Sequence, residues 1–538
     1  MSARPEAEPR PGRPFPRIVT RRLAAPGTLA GDALAGVAAA AGLFPTPIGR
    51  LPAFPAGRQA TLPADAFTTT SEVANGRLAR ILAGEGVVVT TGQQPGLFLG
   101  PLYTLYKAVT AVRLADEVER RTGQPALAVF WVASDDHDWQ EVAGCRIVDG
   151  EDALVSLRVN PPAGWADRSV GPAPLPPDVT AVLKRFEVDA GGAVAGAAPR
   201  WLGALRDAYR PGRSFGDAFV RALRSALEGL DLAILDSAHP VLRSAAAPLY
   251  RRVLETPSTV IDAMGAGLRN VREAGYEPIL TPPSDGLQLF FDDGAQRSHV
   301  VWSGGRFAAG GRTIARDDLL RRLDVEPVAF TPAAALRPVL ESCLLPVTAT
   351  VLGPGEIGYW AQLAPLFASL DARMPGLFPR DAWVLVEPRI DRLLEKLELD
   401  VDTVEIEGKG IADRWVARSR PPRVRDGIVA LDEGLTAGFE QLSAAISAEL
   451  PGLRSAAGKA EHRARQALGD LAHTIDARVR GREHIALGQA ARIRAHLMPD
   501  GRPQERTVAA AQFLARHGGA LVRDLLAASR VAGPEGPN

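Results

Sequence analysis

The feature that most constrains the fold is an alternation beginning near Ile81. Short apolar runs end in glycine-rich or acidic loops, and each is followed by a stretch of helical periodicity. This is the pattern of a parallel α/β sheet, whose strands are covered on both faces and joined by crossover helices. Val87–Thr90 leads through Thr91-Gly92-Gln93-Gln94-Pro95-Gly96 into a helix over about 101–121. Ala126–Ala133 ends in Ser134-Asp135-Asp136-His137-Asp138, and Leu232–Leu235 ends in Asp236-Ser237-Ala238-His239-Pro240. Val347–Leu352 ends in Gly353-Pro354-Gly355-Glu356, and a fifth strand, Trp383–Val386, ends in Glu387. In a doubly wound sheet the carboxyl ends of the strands share one edge, and ligands bind outside it. These loops are therefore predicted to line one cleft.

Two segments break the alternation. Residues 151–212 are rich in proline and glycine, and within 257–335 the runs Leu287–Phe291 and His299–Trp302 read as a small antiparallel excursion. Both are read as insertions overhanging the cleft of a parallel-sheet core spanning 1–387. The first 60 residues are read as mostly loop, with a proline-rich start around 10–14 and one alanine-rich helix around 32–41. After Glu387, Ile390, Leu393, Leu394 and Leu397 fall at helical spacing, followed by Leu435, Phe439, Leu442, Ile446 and Leu450, and then by Leu468, Leu471, Ile475 and Val479. Spacings of three and four with charged residues between them predict an antiparallel helical coiled coil over 388–498, broken at Pro451-Gly452. A lone hairpin buries a single stripe, so a homodimer through this hairpin is expected. Residues 499–538 are expected to fold back onto the core.

Composition narrows the function. With 62 basic and 62 acidic residues among 538, the chain lacks the basic excess of an electrostatic nucleic-acid binder. It has no apolar run of membrane-spanning length, and the apolar stretch 29–44 carries Asp32, so a cytoplasmic protein is expected. Cys145 and Cys343 are the only cysteines and lack CxxC spacing, so no disulfide framework or thiolate zinc site is expected.

Three constellations carry candidate chemistry. The loop containing Gly92, Gln93, Gln94 and Gly96 joins a strand to a helix start, where backbone amides favour an anion, although it is neither a Walker A nor a GxGxxG motif. Asp135-Asp136-His137-Asp138 gathers carboxylates around an imidazole, a setting for acid/base work by Asp136, His137 and Asp138. Asp and His also ligate metals, but no second motif supplies further ligands. Gly353, Gly355, Glu356 and Tyr359 form a second strand-to-helix junction, suited to contacting a nucleotide or sugar. Just upstream, Arg337 lies in an apolar segment and suits a carboxylate or phosphate.

Taken in order, these motifs resemble the BshC family of bacillithiol-biosynthesis cysteine-adding enzymes. The resemblance rests on Thr91 through Lys107, Phe130-Trp131-Val132-Ala133 with Asp136-His137-Asp138, Ser169-Val170-Gly171, Leu336-Arg337-Pro338, Leu345-Pro346, Gly353-Pro354-Gly355-Glu356 with Tyr359, and Gln504-Glu505-Arg506. It implies a Rossmann-like core with two connecting insertions, a dimerising coiled-coil domain, and a role as the ligase that joins L-cysteine to glucosaminyl-malate. Under it, Lys107 joins the candidate substrate or nucleotide contacts. ATP or another nucleotide would activate the carboxylate, and His137 would accept the proton of the attacking amine. No HIGH motif of the distantly similar aminoacyl-tRNA synthetases is present. Two other readings are a metal-dependent hydrolase centred on the Asp-Asp-His-Asp loop and a nucleotide-binding coiled-coil scaffold.

Overall fold

The computed structural model describes residues 16–52, 61–165, 168–190, 198–294 and 296–530. The proline-rich start around 10–14 lies outside them. The chain divides into two compact units, Met1–Val384 with Gln504–Asn538, and Leu385–Pro503.

The first unit is built on a six-stranded sheet. In chain order its strands are β1 (Phe67–Thr69), β2 (Val87–Gln93), β3 (Ala126–Val132), β4 (Leu232–Asp236), β5 (Val347–Leu352) and β6 (Gly376–Pro379). They lie side by side as β6-β5-β2-β3-β4-β1. All pairings are parallel except that of the edge strand β1, which runs antiparallel to β4. Every residue of β3 is buried, as a central strand covered on both faces requires. The chain steps from β2 to β3 and β4 on one side, then returns to β5 and β6 on the other. The topological switch point therefore lies between β2 and β5, where the loops leaving the two strands diverge and open a crevice.

Trp383–Val386 is a strand, but it is not a member of this sheet. The edge of the sheet beside β5 is β6, whose four residues Gly-Leu-Phe-Pro show no strand periodicity in the sequence. The alanine-rich N-terminal helix is two short helices, Leu29–Leu34 and Ala38–Ala41, separated at Gly36, which adopts a φ of 75°. The helix after β2 starts at Tyr103, because Leu97–Leu99 form a separate 3-10 turn with Phe98 and Leu99 at positive φ. That helix runs to Thr122 and is closed by left-handed Gly123, whose N–H reaches Glu119 O at 2.8 Å.

The connection from β3 to β4 carries a hairpin, Gly144–Val148 with Leu154–Arg158, and then helices. The connection from β4 to β5 carries a five-stranded antiparallel sheet built around Gly286–Asp292 and Arg297–Ser303. Residues 504–530 dock on the same unit. Leu102 N–H donates to Val508 O and Ala510 N–H to Gly100 O, both at 2.9 Å. Glu505 receives Arg380 through two hydrogen bonds of 2.8 and 2.7 Å, with both side chains at most 2 % exposed, and Arg21 at 2.9 Å.

In the second unit, helices Pro422–Glu449 and Arg454–Arg482 are joined at Pro451–Leu453 and run antiparallel. Their direction is fixed by Arg420 on Asp476 at 2.7 and 2.8 Å, and by Arg465 on Asp432 at 3.2 Å. Helix Pro388–Leu397 buries Ile390, Leu394 and Leu397 and packs against His484–Leu497. The long pair buries only Ala457 and Val479, and leaves Leu442, Leu450 and Leu471 about half exposed. Among the described residues no helix is long and apolar enough to cross a membrane.

Candidate active site

At the carboxyl edge of the sheet, Gln93 and Gln94 sit at the junction of two polar clusters. Gln93 Oε1 accepts from Lys107 Nζ at 3.0 Å, and its Nε2 donates to Tyr103 Oη at 3.2 Å. Gln94 Nε2 donates to Asp136 Oδ2 in a short contact, while its buried Oε1 has no partner.

The first cluster lies at the switch point. Lys107 reaches inward from its helix, donates to Gly92 O at 2.9 Å and pairs with Glu356 at 2.6 Å. Burial lowers the proton affinity of this ammonium, and Glu356 opposes that shift. Glu356 also caps its own helix, accepting from Gly353 N–H at 2.8 Å. Arg337 is bound by Glu341 and donates to Tyr359 Oη at 2.9 Å. Burial pushes up the Glu341 carboxyl and the Tyr359 phenol, and Arg337 opposes both shifts. Arg337 and Tyr359 thus belong to a closed network beneath the cleft.

The second cluster lines an open cleft of about 520 Å³. Asp136 Oδ1 folds back on the backbone N–H groups of His137 at 2.7 Å and Asp138 at 3.2 Å. Asp138 Oδ1 caps the short helix Trp139–Val142, accepting from Gln140 N at 2.9 Å and Glu141 N at 3.1 Å. The exposed His137 presents Nδ1 to Arg297 Nη1 at 3.4 Å. The same Nδ1 lies 3.6 Å from Asp136 Oδ1. Asp135 turns away and pairs with Arg243 at 2.5 Å.

The structure thus brings Gln93, Lys107 and Glu356 together, and separately Gln94, Asp136, His137 and Asp138. The glycines also meet a packing requirement. A Cβ at Gly92, inside β2, would lie 2.7 Å from Trp131 O on β3, and one at Gly96 would lie 2.9 Å from Gly100 Cα. Gly96 N–H is taken by Gln94 O at 2.8 Å and Gly100 N–H by Leu97 O at 3.0 Å. A Cβ at Gly353 would meet Glu356 and Arg380, whereas Gly355 faces open space. Close backbone packing thus accounts for Gly92 and Gly96, and the amides of Gly96 and Gly100 are satisfied within the loop. Among the described residues no group of three or more His, Cys, Asp or Glu side chains is arranged to hold a metal.

Two contributors escaped the sequence reading. Glu141 stands beside Gln93 at 3.5 Å, and its carboxyl is pushed up by withdrawal from water and by Asp138 and Asp136. Its position three residues after Asp138, within one helical turn, is the signal that could have found it. Arg297 comes from the insertion, with no local signal. Cys145 is buried, its thiol pushed up to about 12 by burial, which removes the thiolate a nucleophile needs.

Comparison with known proteins agrees with this geometry in extent. Residues 64–381 match the family model described as the N-terminal Rossmann-like domain of bacillithiol biosynthesis BshC, and residues 383–533 match its C-terminal coiled-coil domain. The chain is 30% identical to a protein of Salinibacter ruber named "Putative cysteine ligase BshC", over 83% of this chain and 81% of that one. Proteins of the same name from Heliobacterium modesticaldum and Thermus thermophilus are 30% and 32% identical, over 84% and 81% of this chain and 82% and 85% of theirs.

Proposed function

The chain belongs to the BshC family of bacillithiol biosynthesis, and from that premise we propose that it is a cysteine ligase joining the carboxylate of L-cysteine to the amine of glucosaminyl-malate in the last step of the pathway. The observation that carries this reading is the Gln93–Gln94 junction, which links the Lys107–Glu356 pair at the sheet's switch point to the acid-lined cleft beyond β3.

The cleft suits an amine. Asp138 Oδ2 makes no hydrogen bond among the described residues, so it is available to bind the substrate ammonium and to take its proton as the nitrogen attacks. His137, exposed in the cleft, donates from its ring to the oxygen that becomes negative in the tetrahedral intermediate. Asp136 holds the turn that presents His137, and Gln94 fixes Asp136. Lys107 and Glu356 form the floor toward β5.

Amide formation from a free carboxylate is uphill in water, so activation by ATP or another nucleotide belongs to the proposal on energetic grounds. Binding to the purified chain tests the reading. Saturable binding of both L-cysteine and glucosaminyl-malate is expected, and failure to bind either substrate would count against it.

The oligomeric proposal concerns the second unit. The half-exposed Leu442, Leu450 and Leu471 lie on a helical pair with almost no interior of its own, which a second copy would cover. In a cytoplasmic ligase of this design, light scattering is expected to give twice the chain mass. Glutamate at Leu442 and Leu471 should halve it, and an unchanged mass would reject the interface.

A further inference from the structure

We infer that Arg297, carried over the cleft by the inserted antiparallel sheet, binds a carboxylate of the amine-bearing substrate beside His137. The inference rests on the proposed ligase reading and adds a substrate contact to it.

Arginines around the site have protein carboxylates: Arg243 has Asp135, Arg337 has Glu341 and Arg380 has Glu505. Arg297 differs. Its Nε donates to Thr331 Oγ1 at 2.8 Å and its Nη1 faces His137 Nδ1 at 3.4 Å, while Nη2 makes no hydrogen bond among the described residues. No carboxylate of a described residue lies within ion-pair distance of it. Burial lowers its proton affinity, and the acids Asp135, Asp136 and Asp292 restore part of this only through space. A guanidinium withdrawn from water without a direct counter-charge is unfavourable, and an oxyanion arriving with a ligand removes the penalty.

The surroundings are shaped for that role. The Phe290 ring lies under the guanidinium, 3.6 Å from its carbon to the ring centroid, which holds the donor plane flat. His299 stacks on Phe290 at 3.9 Å and keeps a buried Nδ1 without a partner. Thr331 and Phe290 together fix the side chain so that its outer N–H edge remains available. A planar fork of this kind matches a carboxylate through two parallel hydrogen bonds.

The direction of the ligand follows from the charges. Asp136 Oδ1 and Arg297 Nη1 both face His137 Nδ1, at 3.6 and 3.4 Å, so a molecule with an amine and a carboxylate meets an acid and a guanidinium side by side. Its amine would meet the acids and its acid would meet Arg297. A hydroxydiacid attached to an amino sugar has that arrangement. Arg337, which the sequence suggested for this carboxylate, is already occupied by Glu341 and Tyr359.

Calorimetric titration of the full chain tests the assignment with L-malate, glucosaminyl-malate, methyl glucosaminide and inorganic phosphate. Arg297→Gln is expected to weaken both malate-bearing probes about 30-fold or more, the loss seen when one partner of a charge-paired hydrogen bond is truncated. Methyl glucosaminide should bind Arg297→Gln as it binds the wild type, and Arg297→Lys should restore part of the malate affinity. An unchanged melting temperature for Arg297→Gln separates ligand loss from unfolding. Equal malate affinity in wild type and Arg297→Gln would overturn the inference, as would a wild type that binds neither malate probe, or an Arg297-dependent site that takes phosphate and not malate. If malate binding depends on Arg297 but no bacillithiol forms with cysteine and nucleotide, the subsite stands and the ligase reading fails.

Discussion

Alanine at His137 is expected to reduce the rate of bacillithiol formation about 10²- to 10³-fold, the loss seen when one donor to a developing oxyanion is removed. The side chain is 53 % exposed and its ring makes one weak hydrogen bond, so the folded protein should survive the change. Equal melting temperatures for wild type and His137→Ala, together with a collapse in kcat and little change in KM, would identify an interaction made in the transition state. A variant with wild-type kcat would remove His137 from the chemistry and return the cleft to a binding role.

The second large effect concerns stability. Arg380→Ala should destabilise the first unit by about 3 kcal/mol, because it strips two hydrogen bonds from a carboxylate that stays buried. Glu505 keeps Arg21 at 2.9 Å, which places the loss near the lower end of the range for broken buried pairs. The consequence is more than local, since Glu505 belongs to the segment that returns from the coiled coil and lies beside the residues hydrogen-bonded to Leu102 and Gly100. Replacing both partners, Arg380→Met with Glu505→Leu, should recover most of the loss because no charge is then left unpaired. Urea unfolding midpoints measure all three proteins. A loss below about 1 kcal/mol for the single variant would mean that water reaches Glu505.

The sheet was legible because its strands are buried apolar runs that end abruptly in polar loops. Val347–Leu352 was placed to the residue, and Ala126–Val132 to within one. β6 left no such mark, while Trp383–Val386, read as a fifth strand of the sheet, pairs elsewhere. Near the site, even partners close in sequence were given other roles. Arg337 and Glu341 are four apart on one helix, and Asp138 caps the turn that begins at Trp139. The packing role of the glycines was hidden because its cause is the neighbouring strand. Nothing local to Gly92 announces that Trp131 O occupies the space beside it. Arg297 was invisible for the same reason, since it meets His137 across 160 positions and from a different sheet. Lys107 and Glu356 were each noted, but their pairing depends on the adjacency of β2 and β5, which the order of elements along the chain does not reveal.

The central claim is the reaction. Purified protein incubated with L-cysteine, glucosaminyl-malate and ATP, and followed by mass spectrometry of the thiol product, tests it most directly. The account predicts bacillithiol formed in proportion to nucleotide consumed, with product lost in His137→Ala. Absence of bacillithiol from folded protein that binds both substrates, across ATP and other nucleoside triphosphates, would contradict it.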